Sequence, residues 1–284
     1  EGDCYSPGNY DNIFRGPMTI RDALAQSVNT PAVKALYLAG IADSIKTARD
    51  MGITTLADPA RYGLTLVLGG GEVTLLEMAS AYGAFANEGV RNPTVSILKI
   101  EDSEGNLLEE HSDTSFRVIE RNIALQISDI LSDNAARSPA FGERSSLHFP
   151  GRAVAAKTGT TNDYRDAWII GYTPNIVVGA WAGNNDNTPM EKRVAGFIIA
   201  PLWREVMEAA LTDLPNEPFA FPSYDYARLK PVLTGSWQEE EGVHSILHYV
   251  DKNDPRGPYP TNPGRDPQYK YWEAQVSAWA GGQR

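Results

Sequence analysis

One cysteine, Cys4, stands in 284 residues, so no disulfide can form within the chain. Positive charge is also short: 25 Lys and Arg face 36 Asp and Glu, a net charge of -11. With no basic stripe to neutralise phosphates, nucleic acid is not expected as a partner. No run of about 18 apolar residues occurs, so no segment is expected to cross a bilayer as a helix. The four histidines, His111, His148, His244 and His248, lack the spacing of a metal site, and no metal or other cofactor is expected. His244 and His248 lie four apart, but residues 243–250 read as a strand, with both as surface or core side chains. The opening Glu1-Gly2-Asp3-Cys4 resembles neither a signal peptide nor a natural start, and reads as the interior of a longer chain.

The densest chemistry lies in Ala156-Lys157-Thr158-Gly159-Thr160-Thr161, which places a cation, hydroxyls and a glycine on one short segment. Its flanks predict consecutive antiparallel strands over 153–160, 167–172 and 176–181, separated by Asn162-Asp163-Tyr164-Arg165 and Thr173-Pro174-Asn175. Alternation sets Lys157 and Gly159 on one face and Thr158 and Thr160 on the other. Gly159 lacks a Cβ, so a second backbone could lie against the strand and add to its edge.

Around these strands the pattern is helical. A helix is expected from Thr19 as N-cap through Gln26, broken at Ser27-Val28-Asn29 and restarted by Thr30-Pro31 up to Gly40, followed by one over 43–51 closed by Gly52. Gly69-Gly70-Gly71 leads into a helix capped by Thr74 and Glu77 and ended by Gly89. These glycines lack the Lys and Ser/Thr of a P-loop, so they read as a turn close to other backbone rather than a phosphate cradle. A surface hairpin is expected over 93–108, an amphipathic helix over 119–131, and a long apolar helix over 196–211 carrying Phe197, Ile198, Leu202, Trp203, Val206 and Met207 across the sheet. After Pro215 the chain turns to Pro, Tyr, Trp and acid, including Glu239-Glu240-Glu241, with one short docking helix around Tyr271, Trp272 and Trp279. These features predict an α+β fold, an antiparallel sheet flanked by helices, over 1–214, and an extension of unassigned role over 215–284.

Ser27-x-Asn29 lies about 130 residues before Lys157-Thr158-Gly159. With the stretches Gly16-Pro17-Met18-Thr19, Asn29-Thr30-Pro31-Ala32-Val33, Leu68-Gly69-Gly70-Gly71-Glu72-Val73-Thr74 and 157–186, the chain resembles the transpeptidase domain of penicillin-binding proteins of the bifunctional, class A type, over about residues 5–214. That resemblance implies acyl transfer from peptidoglycan stem peptides ending in D-alanyl-D-alanine, reaction with β-lactams, and a location outside the cytoplasm, with any membrane contact made by an N-terminal anchor outside this chain. It implies that Ser27 relays protons, Asn29 holds the substrate amide, Lys157 supplies positive field, and Thr158 and Thr160 bind the substrate carboxylate. Gly159 and Thr161 line the same end, and the Thr160 backbone N–H forms half of an oxyanion hole.

The family's nucleophile is the serine of Ser-x-x-Lys, upstream of Ser-x-Asn, and only 26 residues precede Ser27. The single Ser-x-x-Lys match, Ser96-Ile97-Leu98-Lys99, sits in a strand pattern that turns the two side chains to opposite faces. The nucleophile is therefore expected outside this chain, leaving a fold incomplete at its N-terminus, inactive by itself and with an apolar groove beside Lys157. The alternatives are a non-catalytic peptidoglycan-binding or scaffold homologue, and a D,D-carboxypeptidase.

Overall fold

Ala155–Thr160 (β5), Asp166–Tyr172 (β6) and Val177–Gly183 (β7) form an antiparallel sheet in the order β5-β6-β7. The computed structural model describes residues 5–190, 192–225, 229–236 and 242–282; Cys4 and Glu239-Glu240-Glu241 lie outside them. Small and β-branched residues make these strands, and the expected turns separate them. Ala156, Ala167 and Ile169 face one way and join Trp203, Met207 and Leu211 in a buried cluster. Ala155 and Tyr172 face the other way, against Leu24, Tyr82 and Leu131. The sheet is thus a middle layer, and successive β5 side chains alternate between the two helical layers.

Helices Ile20–Ala25 (α1), Leu75–Ala86 (α4) and Arg121–Ser132 (α5) pack on the Ala155 side; Asn29–Ala39 (α2) and Ile41–Asp50 (α3) follow α1, and Asn134–Phe141 (α6) follows α5 and reaches the Trp203 cluster through Phe141. Thr19 caps α1 by accepting from Asp22 N, as its hydroxyl and position require. Arg21 on α1 pairs with Asp129 on α5 and, at 2.9 Å, with Asp133, the residue whose carboxylate caps α6. One guanidinium therefore ties the first turn of α1 to the α5–α6 junction. Gly52 closes α3 at φ +105°, a left-handed conformation that glycine adopts without Cβ strain.

Opposite lie two helices where one was expected. Ala195–Ile198 (α7) and Ala200–Leu211 (α8) are separated at Ile199, and Pro201 stands in the first turn of α8. Proline has no N–H to donate and its ring crowds the preceding turn, so the ladder restarts there. The buried face also differs from expectation. Trp203 and Met207 are fully buried and Trp203 Nε1 donates to the Val178 carbonyl at 2.9 Å, whereas Phe197, Leu202 and Val206 are exposed.

Elsewhere, Lys99–Glu101 (β2) pairs with Leu107–Glu110 (β3) in the expected surface hairpin, and Val90–Arg91 (β1) pairs with Phe116–Arg117 (β4), which the pattern did not suggest. Residues 243–250 are not a strand. Ile246–Tyr249 (α9) is a helical turn, and the His244 and His248 rings stack 3.9 Å apart. Glu273, on Tyr269–Gly282 (α10), accepts from Ser245 N at 3.1 Å and contacts His244 Nδ1 at 2.5 Å, which draws the backbone into that turn. Trp272 of α10 meets Tyr37 of α2 edge-on at 5.3 Å, and Tyr37 donates to Asp266 at 2.8 Å. The late aromatic pattern does mark a docking helix, and α2 receives it.

Glu77 completes the capping box of α4 with Thr74 and also accepts from Thr54 N, Thr54 Oγ1 and Thr55 Oγ1. These bonds outweigh partial burial and hold its carboxyl down to about 2. A carboxyl depressed in the folded state stabilises above its ordinary value near 4.5, and that contribution fades as pH falls toward 2. Glu77→Gln is expected to cost about 1 kcal/mol at pH 7. Thermal melts from pH 7 to 2 should show this difference shrinking on the acid side.

Candidate active site

Helix α1 ends in a Schellman arrangement: Val28 N donates to the Ala23 carbonyl at 2.9 Å and Ser27 N to the Leu24 carbonyl at 3.2 Å. The left-handed position of that motif usually falls to glycine, yet here it is Ser27, at φ +60°. The turn aims Ser27 at β5. Lys157 Nζ donates to Ser27 Oγ at 2.6 Å and to the Thr158 carbonyl at 2.7 Å, joining positions 130 residues apart.

Lys157 has no carboxylate among these described partners. Burial lowers its ammonium to about 8, and repulsion from Arg137 adds to the effect. Arg137 on α6 is itself 2% exposed and donates to the Leu147 carbonyl at 3.1 Å and to the Leu131 carbonyl at the end of α5. Burial lowers this guanidinium as well, to about 10. Two shielded cations on the same side of the sheet make a local field suited to an anion.

The backbone of β5 adds directional donors. Thr161 N donates to the Asp166 carbonyl, which fixes the hydrogen-bonding parity of the β5–β6 pair. By that parity the N–H groups of Lys157 and Gly159 point to β6, while those of Thr158 and Thr160 point to the opposite edge. Among the described residues no strand pairs with β5 on that edge. A Cβ built on Gly159 would meet Trp168 Cβ at 3.4 Å, an ordinary contact, so packing within the chain does not demand glycine there.

Of the remaining residues singled out from sequence, Thr158 is engaged through its carbonyl, and Thr160, Thr161 and Asn29 through their side chains. Thr160 Oγ1 accepts from Ala195 N at 3.0 Å on the α7 face, which leaves its own proton to donate. Thr161 Oγ1 donates to Asp166 Oδ2 at 2.8 Å and accepts from Asp166 N at 2.9 Å, shaping the β5–β6 turn. Asn29 Nδ2 donates to the Gly8 carbonyl at 3.0 Å. Gly69, at φ +99°, lies beside the Thr161 methyl, so the glycine run is a close-passing turn at this end of the strand. Ser96 is exposed, and Lys99 pairs with Glu101 at 2.8 Å in the separate β2–β3 sheet. Two cavities, of about 330 and 240 Å³, lie against Phe219 and Arg152, away from β5.

The sequence model described as "Penicillin binding protein transpeptidase domain" matches residues 2–208. This chain belongs to that family. Penicillin-binding protein 1A of Aquifex aeolicus is 34% identical over 223 residues, covering 78% of this chain and 30% of the relative. Penicillin-binding protein 1C of Escherichia coli is 32% identical over 218 residues, covering 75% and 26%. The chain thus spans about a third or less of these relatives' length. The crystal structure of penicillin-binding protein 1A from Haemophilus influenzae superposes with a TM-score of 0.66 at 26% identity, over 77% of this chain and 38% of that one. PonA1 from Mycobacterium tuberculosis, solved in complex with penicillin V, gives 0.66 at 26%, over 76% and 62%.

Within this penicillin-binding fold, sequence reasoning missed Arg137 and the segment around Gly8 and Asn9. Asp133 before Asn134-Ala135-Ala136 is a legible N-cap, but nothing in the string marks the following arginine as buried. Gly8-Asn9-Tyr10-Asp11-Asn12 reads as an ordinary turn.

Ser27 without its hydroxyl isolates the backbone strain. Of two variants that both lose the Lys157 contact, Ser27→Gly should be about 1 kcal/mol more stable than Ser27→Ala, because only glycine accepts φ +60° freely. Chemical denaturation of the pair measures the difference directly.

Proposed function

We propose that this chain supplies the substrate-holding and proton-relay wall of a serine D,D-transpeptidase, which crosslinks peptidoglycan stem peptides and is acylated by β-lactams. The observation that carries this reading is the 2.6 Å bond from Lys157 to Ser27 beside an open strand edge. Residues 1–214 form the transpeptidase portion, and 215–284 an extension that returns to α2. The working location is outside the cytoplasm, where the crosslinked polymer lies. Among the described residues no helix is long and apolar enough to cross a membrane.

A stem peptide adds along the β5 edge, and Gly159 admits its backbone. Its terminal carboxylate meets the hydroxyls of Thr158 and Thr160 in the field of Lys157, while Thr161 fixes the adjoining turn. The serine of a Ser-x-x-Lys segment attacks the penultimate D-alanine carbonyl, and the oxyanion takes the Thr160 N–H. As the peptide C–N bond breaks, the serine's proton reaches the leaving D-alanine amine through Ser27 Oγ, whose own proton is free because it accepts from Lys157. An amine of a second stem then attacks the ester, forming the crosslink and returning a proton to the serine. Asn29 holds the substrate amide throughout.

The test is covalent labelling with a fluorescent penicillin, read by intact mass. The protein carrying an in-frame Ser-x-x-Lys upstream of residue 1 should be acylated at that serine, and the 284-residue chain should not. Lys157→Ala should slow acylation by roughly 10² or more. An adduct on Ser27 or Ser96 would overturn the assignment. Unlabelled protein in both forms would favour the non-catalytic, peptide-binding reading, and release of D-alanine without crosslinks a D,D-carboxypeptidase.

A further inference from the structure

Helix α2 carries Asn29 in its first turn and follows directly on Ser27, so whatever holds that turn also sets the site. Its own N-cap, Val28, has no side-chain acceptor for the first N–H groups. The acceptor comes from elsewhere. Thr30 N and Thr30 Oγ1 both donate to Asn9 Oδ1, each at 3.0 Å. Asn9 Nδ2 donates to the Ile13 carbonyl at 2.8 Å, and Asn12 N closes a turn on the Asn9 carbonyl at 3.0 Å, so both ends of the Asn9 amide are engaged. Asn9 is 8% exposed, an uncommon depth for an asparagine in an otherwise exposed segment.

We propose that Asn9 is a positioning residue: it caps α2 in place of Val28 and thereby holds Ser27 and Asn29 in register with Lys157. The neighbouring Gly8 carbonyl completes the arrangement. A carbonyl can accept only from the amide nitrogen of Asn29, which assigns Nδ2 to Gly8 and leaves Oδ1 as the acceptor end of the amide. Ser27 is strained at φ +60°, and a strained residue persists only where its surroundings over-determine it. On the Asn29 side that restraint comes from residues 8 and 9; on the other it comes from the Schellman end of α1. The inference rests on the reading of Ser27 and Lys157 as the proton relay, but its test reads Lys157 and not acylation.

The test follows the Lys157 ammonium by NMR in the 15N-lysine-labelled chain, alongside thermal melts. Wild type should titrate near pH 8. Asn9→Ala releases the turn and admits water, so the midpoint should rise by about one pH unit or more, a tenfold change in proton affinity. Glu77→Gln, remote from the turn, should lower the melting temperature without moving Lys157. If Asn9→Ala lowers stability as Glu77→Gln does but leaves the Lys157 midpoint in place, the proposal is overturned. Should Asn9→Ala not fold, Thr30→Val removes the hydroxyl half of the contact and is judged by the same midpoint. Failure of penicillin labelling with a normal Asn9 series would count against the transpeptidase reading and leave the positioning role standing.

Discussion

An ammonium shielded from water must be given acceptors, and in this chain they are a hydroxyl and a backbone carbonyl. Neither carries charge, so neither repays the full cost of desolvating the cation, and Lys157 is left with a weakened hold on its proton. Much of the surrounding structure serves that one contact. Arg21 fastens α1 to α5 and α6, α1 ends in the turn that bears Ser27, and α5 packs against the strand that bears Lys157. The hydroxyl and the amine meet because elements far apart in sequence are pinned to a common junction. A carboxylate in place of Ser27 would satisfy the lysine better and would strengthen its hold on the proton.

Much of this was legible from composition and pattern. The strands betray themselves by β-branched and small residues between turn formers, and the Thr74–Glu77 box marks its helix start. Ser27-x-Asn29 was readable as an inter-helix turn because Pro31 cannot follow a continuous helix. What escaped was set by tertiary context. Nothing local distinguishes Arg137 from a solvated arginine, since its burial depends on carbonyls at 131 and 147 being left without partners. Asn9 reaches 21 residues forward to Thr30, beyond any local capping rule. The 196–211 helix looked continuous because its apolar residues are dense, yet Pro201 divides it and turns Phe197, Leu202 and Val206 outward. His244 and His248 looked like strand residues until a glutamate 29 positions from His244 set their geometry.

The extension past residue 214 shows how a small addition can lean on an existing site. Among the described residues it adds no strand to the β5 sheet, and its aromatic helix rests on α2, whose first turn carries Asn29. Lys34 lies 5.0 Å over the Trp272 ring, a cation–π contact that holds the two together without charge pairing. The stiffness of α2 is therefore shared between its N-terminal clamp and this docked helix.

Gly159 carries a consequence for anyone who alters this protein. Its neighbours leave room for a side chain, and its place in a strand would reward a β-branched one. A screen for thermal robustness would therefore enrich valine or threonine at this position and report success. The same substitution would put a side chain on the strand edge that the proposed peptide ligand would share, so the change that looks most innocuous in a melt is the one that would weaken binding under that proposal.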